Sequence, residues 1–117
     1  MYIGASSVAT FVKGASYPFI EAGSFLKVNN PTTGALTNGV NARWYNVYQI
    51  LVPTTADSES QSFRVIMLQP QTTHTSLLNA QAEDPRTLNL GNFTNLATEW
   101  VIYARITYVT ANADGNA

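Results

Sequence analysis

The chain has 117 residues, a net charge of −1 and only 11% Asp, Glu, Lys and Arg, against about 25% in an average soluble domain. A single domain of this length can bury most of its unfolded surface, and no linker, repeat or composition shift asks for a second one. The six basic residues, scattered from Lys13 to Arg105, form no cluster for nucleic acid; there is no cysteine for disulfides or thiolate metal sites; and no apolar run approaches the roughly 18 residues of a membrane helix.

Ser, Thr, Asn and Gln fill the polar positions instead. So little charge suits a protein whose surface is largely covered by neighbours, or an extracellular or virion protein with a neutral, Thr/Asn-rich exterior. The first seven residues, Met-Tyr-Ile-Gly-Ala-Ser-Ser, lack the basic region and long apolar core of a signal peptide. Any extracellular destiny is therefore expected through cell lysis or a non-classical route. Residues 1–5 and 111–117 are expected to fray as tails of one domain spanning 1–117.

Along the chain, residues 8–12 read as a strand and Lys13-Gly14-Ala15-Ser16 as a turn. Residues 17–20 are extended, and Pro18, which has no N–H for a ladder, places them at an edge or a strand entrance. A short strand follows over 24–28. Turn chemistry then dominates from Asn29 to Gly39, with Asn38-Gly39 predicting a tight type I′ hairpin between residues 35–37 and 40–42. Residues 43–52 and 62–69 are long strands with apolar side chains on both faces, the pattern of strands covered on two sides. The polar stretch 53–61 joins them as an exposed loop. Residues 75–83 read either as two helical turns, with Thr75 or Ser76 as N-cap and Pro85 as the stop, or as an irregular loop. A short strand over 87–90, a turn at Gly91-Asn92 and a lead-in over 93–98 bring the chain to its longest alternating stretch.

That stretch, residues 99–109, is the strand around which the rest is expected to organise. Trp100, Ile102, Ala104, Ile106 and Tyr108 share one side at a period of two; Glu99, Val101, Tyr103, Arg105, Thr107 and Val109 share the other. The second side mixes apolar with charged residues, which suggests that it meets another sheet or another subunit. Seven or eight short strands with turn signals between them read as all-β, an antiparallel β-sandwich of jelly-roll type.

Chemistry-bearing residues are few. His74 is the sole histidine, without Cys or His partners for a metal, and reads as a loop-surface residue. Asp57 with Glu59, and Glu83 with Asp84, are nominal carboxylate pairs for glycoside hydrolysis, but both lie in solvent-like sequence where little would raise an acid's pKa. There is no phosphate-binding glycine loop and no nucleophile elbow. Glu99 and Arg105, about 20 Å apart along a strand, each need a cross-strand or inter-subunit partner. The aromatic residues stand out: Trp44, Tyr48, Trp100 and Tyr108 read as core and interface. Tyr45 and Tyr103, beside Arg43 and Arg105, are better placed for an inter-subunit or ligand contact. No catalytic residue, metal ligand or cofactor site is assigned.

The segments Arg-Trp-Tyr-Asn-Val-Tyr-Gln-Ile-Leu-Val-Pro (43–53) and Glu-Trp-Val-Ile-Tyr-Ala-Arg-Ile-Thr-Tyr-Val (99–109), in a cysteine-free chain rich in Thr and Asn, give it its character. Over residues 40–110 it resembles the small β-sandwich modules of bacteriophage virions, above all those that terminate tail fibres and tailspikes. The resemblance implies a non-enzymatic virion protein, assembled in the host cytoplasm. It implies a homo-oligomer, a trimer by preference, packed with other virion proteins through the second faces of the long strands. It also implies a role in fibre assembly or in attachment to host-surface polysaccharide. It rests on no shared motif, so no binding residue is carried over. A capsid decoration protein and, from another class, a small carbohydrate-active enzyme are the alternatives.

Overall fold

The computed structural model describes residues 1–11, 26–53, 63–97 and 99–110. In chain order these form β1 (Tyr2–Ile3), β2 (Ala9–Thr10), β3 (Lys27–Asn30), β4 (Ala35–Asn38), β5 (Trp44–Pro53), β6 (Phe63–Leu68), α1 (Leu77–Gln81), α2 (Phe93–Leu96) and β7 (Val101–Val109). The fold is all-β and antiparallel, as the sequence predicts, with β1–β2, β3–β4 and β6–β5–β7 as its sheets. The expected strands over 17–20, the loop over 54–61 and the C-terminal tail lie outside the described residues.

The centre of the structure is β5, not the 99–109 stretch. β5 hydrogen-bonds along both edges, to β6 from Tyr48↔Leu68 to Pro53↔Phe63 and to β7 from Trp44↔Val109 to Leu51↔Val101. Its β-branched and aromatic residues fit a pleated surface packed from both sides, and Tyr45, Val47, Tyr48 and Ile50 are buried. On β7 the exposed residues are Val101, Tyr103, Arg105 and Val109.

The strict alternation expected of β7 is broken. Regular pairing with β5 runs to Gln49↔Ala104, and the next pair is Ile50↔Ile102, which leaves Tyr103 as an extra residue in a β-bulge. Directly opposed residues share a face. Ala104, Ile106 and Tyr108 therefore lie with Gln49, Val47 and Tyr45, whereas Ile102 lies with Ile50 on the other face. One inserted residue thus moves the apolar series of β7 from one side of the sheet to the other.

On the Ile50 face, Ile66, Ile50 and Ile102 form a row across all three strands. The core grows from it with Met1, Ile3, Ala9, Tyr48, Leu68, Phe93 and Ala97. Phe93 meets Trp100 edge-on at 5.9 Å between ring centroids. On the opposite face, the N-terminal half of β5 is covered where Gly39 abuts the Tyr45 ring and the Val40 N–H donates to the Tyr45 hydroxyl at 2.7 Å.

Residues 1–5 do not fray. Met1 and Ile3 are fully buried, and the buried Asn29 grips the backbone of Ile3 twice: its Oδ1 accepts from the Ile3 N–H at 2.8 Å and its Nδ2 donates to the Ile3 carbonyl at 2.9 Å. An asparagine amide here imitates a strand partner and satisfies two buried backbone groups that would be costly to leave unmade. Gly34, at φ +79°, is obligatory twice over, since a Cβ would fall 2.2 Å from the Ala5 nitrogen.

Other departures are local. The hairpin turn lies over residues 31–34 rather than at Asn38-Gly39. Asn30 Oδ1 accepts from the Thr32 N–H at 3.0 Å, Gly34 closes back on the Asn30 carbonyl at 2.8 Å, and β3 and β4 then pair from Asn30↔Ala35 outward. Asn38 pairs with Lys27 at the open end of that hairpin. The helical alternative for 75–83 holds: α1 is capped by Ser76, whose hydroxyl accepts from the Asn79 N–H. Pro85 opens a 3₁₀ turn, Pro85–Thr87, where a strand over 87–90 was expected, and the lead-in over 93–98 contains α2.

The α-amine of Met1 donates to the Met67 carbonyl at 2.6 Å in this core, and burial lowers its pKa from 8.0 to about 6. Between those values the unfolded chain holds a proton that the folded chain has released, so stability is lost as pH falls from 8 to 6. The expected loss is about 2–3 kcal/mol at 1.36 kcal/mol per pH unit. Denaturant titrations at pH 6 and pH 8 on a His74→Gln background, which removes the sole imidazole, measure it; equal stabilities would contradict it.

Candidate functional site

Four residues stand out from the sequence as contact residues, and the structure separates them. Tyr45 is 0% exposed, with its hydroxyl accepting from the Val40 N–H; it belongs to the interior and is not a surface for a ligand or a subunit. Arg43 is half-buried at the start of β5, its guanidinium turned back to the Ala42 carbonyl at 3.1 Å. Tyr103, the bulge residue, is 51% exposed. Arg105 is exposed two residues on, opposite Tyr48, and its Nη1 donates to the Glu83 carbonyl at 3.4 Å. That contact is the cross-strand partner its position called for.

Arg105 leads to a cluster that the sequence reading dispersed. The segment 74–83 leaves β5 and returns to it. It leaves where Trp44 and His74 exchange main-chain hydrogen bonds at 2.9 and 3.0 Å. In the middle, Asn46 Nδ2 donates to the Ala80 carbonyl at 2.8 Å, while Asn46 Oδ1 accepts from the Thr107 hydroxyl at 2.7 Å. It returns where Glu83 lies between His74 and Tyr48. The Glu83 Oε1 is 2.8 Å from His74 Nε2, and Oε2 accepts from the Tyr48 hydroxyl.

Glu83 is therefore not a solvated loop charge, nor His74 a loop-surface residue: their side chains are only 9% and 12% exposed. The Tyr48 phenol is pushed well up from its ordinary pKa of 10.0, first by burial and then by the hydrogen bond and the charge of Glu83. A protonated phenol is what the geometry needs, because it must donate to a carboxylate.

The cluster works as a clasp. Each oxygen of the Glu83 carboxylate already has a partner, and Asp84, the other half of the nominal pair, turns outward to Arg86 at 3.0 Å. The Arg86 side chain holds the Asp84 carboxyl below its ordinary pKa, chiefly by hydrogen bonding. The two carboxylates do not face a common space as an acid and a nucleophile would. Asp57 and Glu59 lie outside the described residues. Among the described residues, no three His, Asp or Glu side chains gather as metal ligands would, and no helix is long and apolar enough to cross a membrane.

Nothing local announced this cluster. His74 and Glu83 lie nine residues apart and Tyr48 on another strand, so only the fold of the 74–83 segment brings them together. Compared with family models, curated proteins and solved structures, the chain has no match.

The clasp is testable by a double-mutant cycle. Tyr48→Phe removes one donor to a half-buried carboxylate and is expected to cost about 1.5–3 kcal/mol. In a Glu83→Ala background the same change is expected to cost much less. Additive losses in urea unfolding would show that the two side chains do not interact.

Proposed function

We propose that the chain is a non-enzymatic structural module of a bacteriophage virion, a β-sandwich of the kind that terminates a tail fibre or tailspike. It assembles as a homo-oligomer, a trimer by preference, and contributes to fibre assembly or to attachment to host-surface polysaccharide. The observation that carries this reading is the exposed apolar side of the central sheet. Val65, Val101 and Tyr103 are each about half exposed on strands whose other face is core, as befits strands that a neighbour covers. The low charge of the chain fits the same reading. Tyr103 supplies the aromatic surface on which a sugar ring stacks, and Arg105 on the same strand supplies hydrogen-bond donors.

Light scattering across a concentration series, together with binding to a panel of host polysaccharides, tests the proposal. A stable trimer is expected, with any glycan affinity lowered about tenfold by Tyr103→Ala, a loss of about 1.4 kcal/mol. A monomer that binds no polysaccharide but coats empty capsids would replace the fibre reading with capsid decoration. Hydrolysis of a polysaccharide, abolished by Glu83→Gln, would overturn the non-enzymatic reading.

A further inference from the structure

We propose that a second copy of this chain docks on the C-terminal half of β5 and its neighbours, centred on the row Val65–Leu51–Val101. The inference rests on the oligomeric reading above and deepens it by naming the surface.

The row follows from register. Leu51 is directly opposite Val65 on β6 and directly opposite Val101 on β7, so the three side chains share one face across the whole sheet. They alternate with Ile66, Ile50 and Ile102, the row that packs into the core, and so project from the other side. Leu51 is half-buried between its neighbours, and Val65 and Val101 are 48% and 52% exposed. Exposed apolar side chains scattered singly are ordinary; a line of three spanning every strand of a sheet is a surface.

The surface has definite ends. Toward the start of β5 the same face carries Tyr45 and Val47, both fully buried. The covering near Gly39 and Val40 stops there, and the apolar row begins beyond the next pairs, Gln49↔Met67 and Gln49↔Ala104. Tyr103, inserted by the bulge beside Ala104, rims the patch with an exposed phenol.

Charge selects the occupant. None of Val65, Leu51, Val101, Gln49, Met67, Ala104 and Tyr103 ionises near neutral pH. In a symmetric contact every group on the patch meets the same patch of its copy, so a charge near the axis would face its like. A neutral apolar patch meets its own copy without that penalty. An anionic partner, whether nucleic acid, acidic glycan or lipid headgroup, would instead call for Lys or Arg on the row. Arg105, by its pairing with Tyr48, lies on the core side of the sheet and not on this one.

The test is the mass in solution of the full chain and of Val65→Lys, Val101→Lys and Leu78→Lys, with circular dichroism to verify folding. Leu78 is the control, 75% exposed on α1 and away from the row. The expected result is an oligomer that Val65→Lys and Val101→Lys each weaken about tenfold or more, while Leu78→Lys leaves it unchanged. If either lysine variant fails to fold, Val101→Cys serves instead: the chain has no cysteine, so mild oxidation is expected to give a covalent dimer of native circular dichroism. An oligomer that survives both lysines, or a Val101→Cys chain that does not cross-link, overturns this docking face and leaves the oligomeric reading standing. A parent chain that stays monomeric at every concentration overturns both.

Discussion

A strand paired along both edges has its backbone groups satisfied but must present successive side chains to opposite faces, and β5 does this for ten residues. It meets the constraint with Tyr, Val, Ile and Leu on both sides. The remaining elements are arranged by which half of which face they cover. The N-terminal strands and α2 close the Ile50 side, the chain around Gly39 and Val40 closes the Tyr45 end of the other, and the row through Leu51 is left to something else. The bulge at Tyr103 makes this division possible, because a regular register would have turned Ile102 away from the core.

The sequence discloses the class and the long strands readily, since residues 43–52, 62–69 and 99–109 carry β-branched and aromatic residues in dense runs. It also discloses the Ser76 cap, a local signal with a local cause. The bulge was not legible: alternation from Trp100 to Tyr108 is unbroken in the sequence, and only pairing with β5 shows one residue too many. The burial of residues 1–5 was hidden for a similar reason. Met-Tyr-Ile-Gly-Ala is short and has no period, and what fixes it is an asparagine side chain 26 residues away from Ile3. Asn38-Gly39 misled because the competing turn from Asn30 to Gly34 has its own side-chain acceptor and a glycine that the N-terminal segment requires.

Among the contact residues, period alone could not tell Tyr45 from Tyr103. Both are tyrosines on long strands beside an arginine, yet one lies on the central strand under a covering loop and the other on a bulge of a neighbouring strand. The clasp of His74, Glu83 and Tyr48 was illegible for a simpler reason, since its members are joined only by the return of the 74–83 segment to β5. It holds that segment to the core side of the sheet, so the exposed apolar row on the other side is left as the surface on which assembly turns.

The claim that supports all of this is the shifted register between β5 and β7, and cross-strand backbone nuclear Overhauser effects test it directly. The account predicts contacts joining Gln49 with Ala104, then Ile50 with Ile102 and Leu51 with Val101. Contacts joining Ile50 with Tyr103 and Leu51 with Ile102 would mean an unbroken ladder. Ile102 would then lie on the outer face, and both the core row and the apolar row built on this register would be wrong.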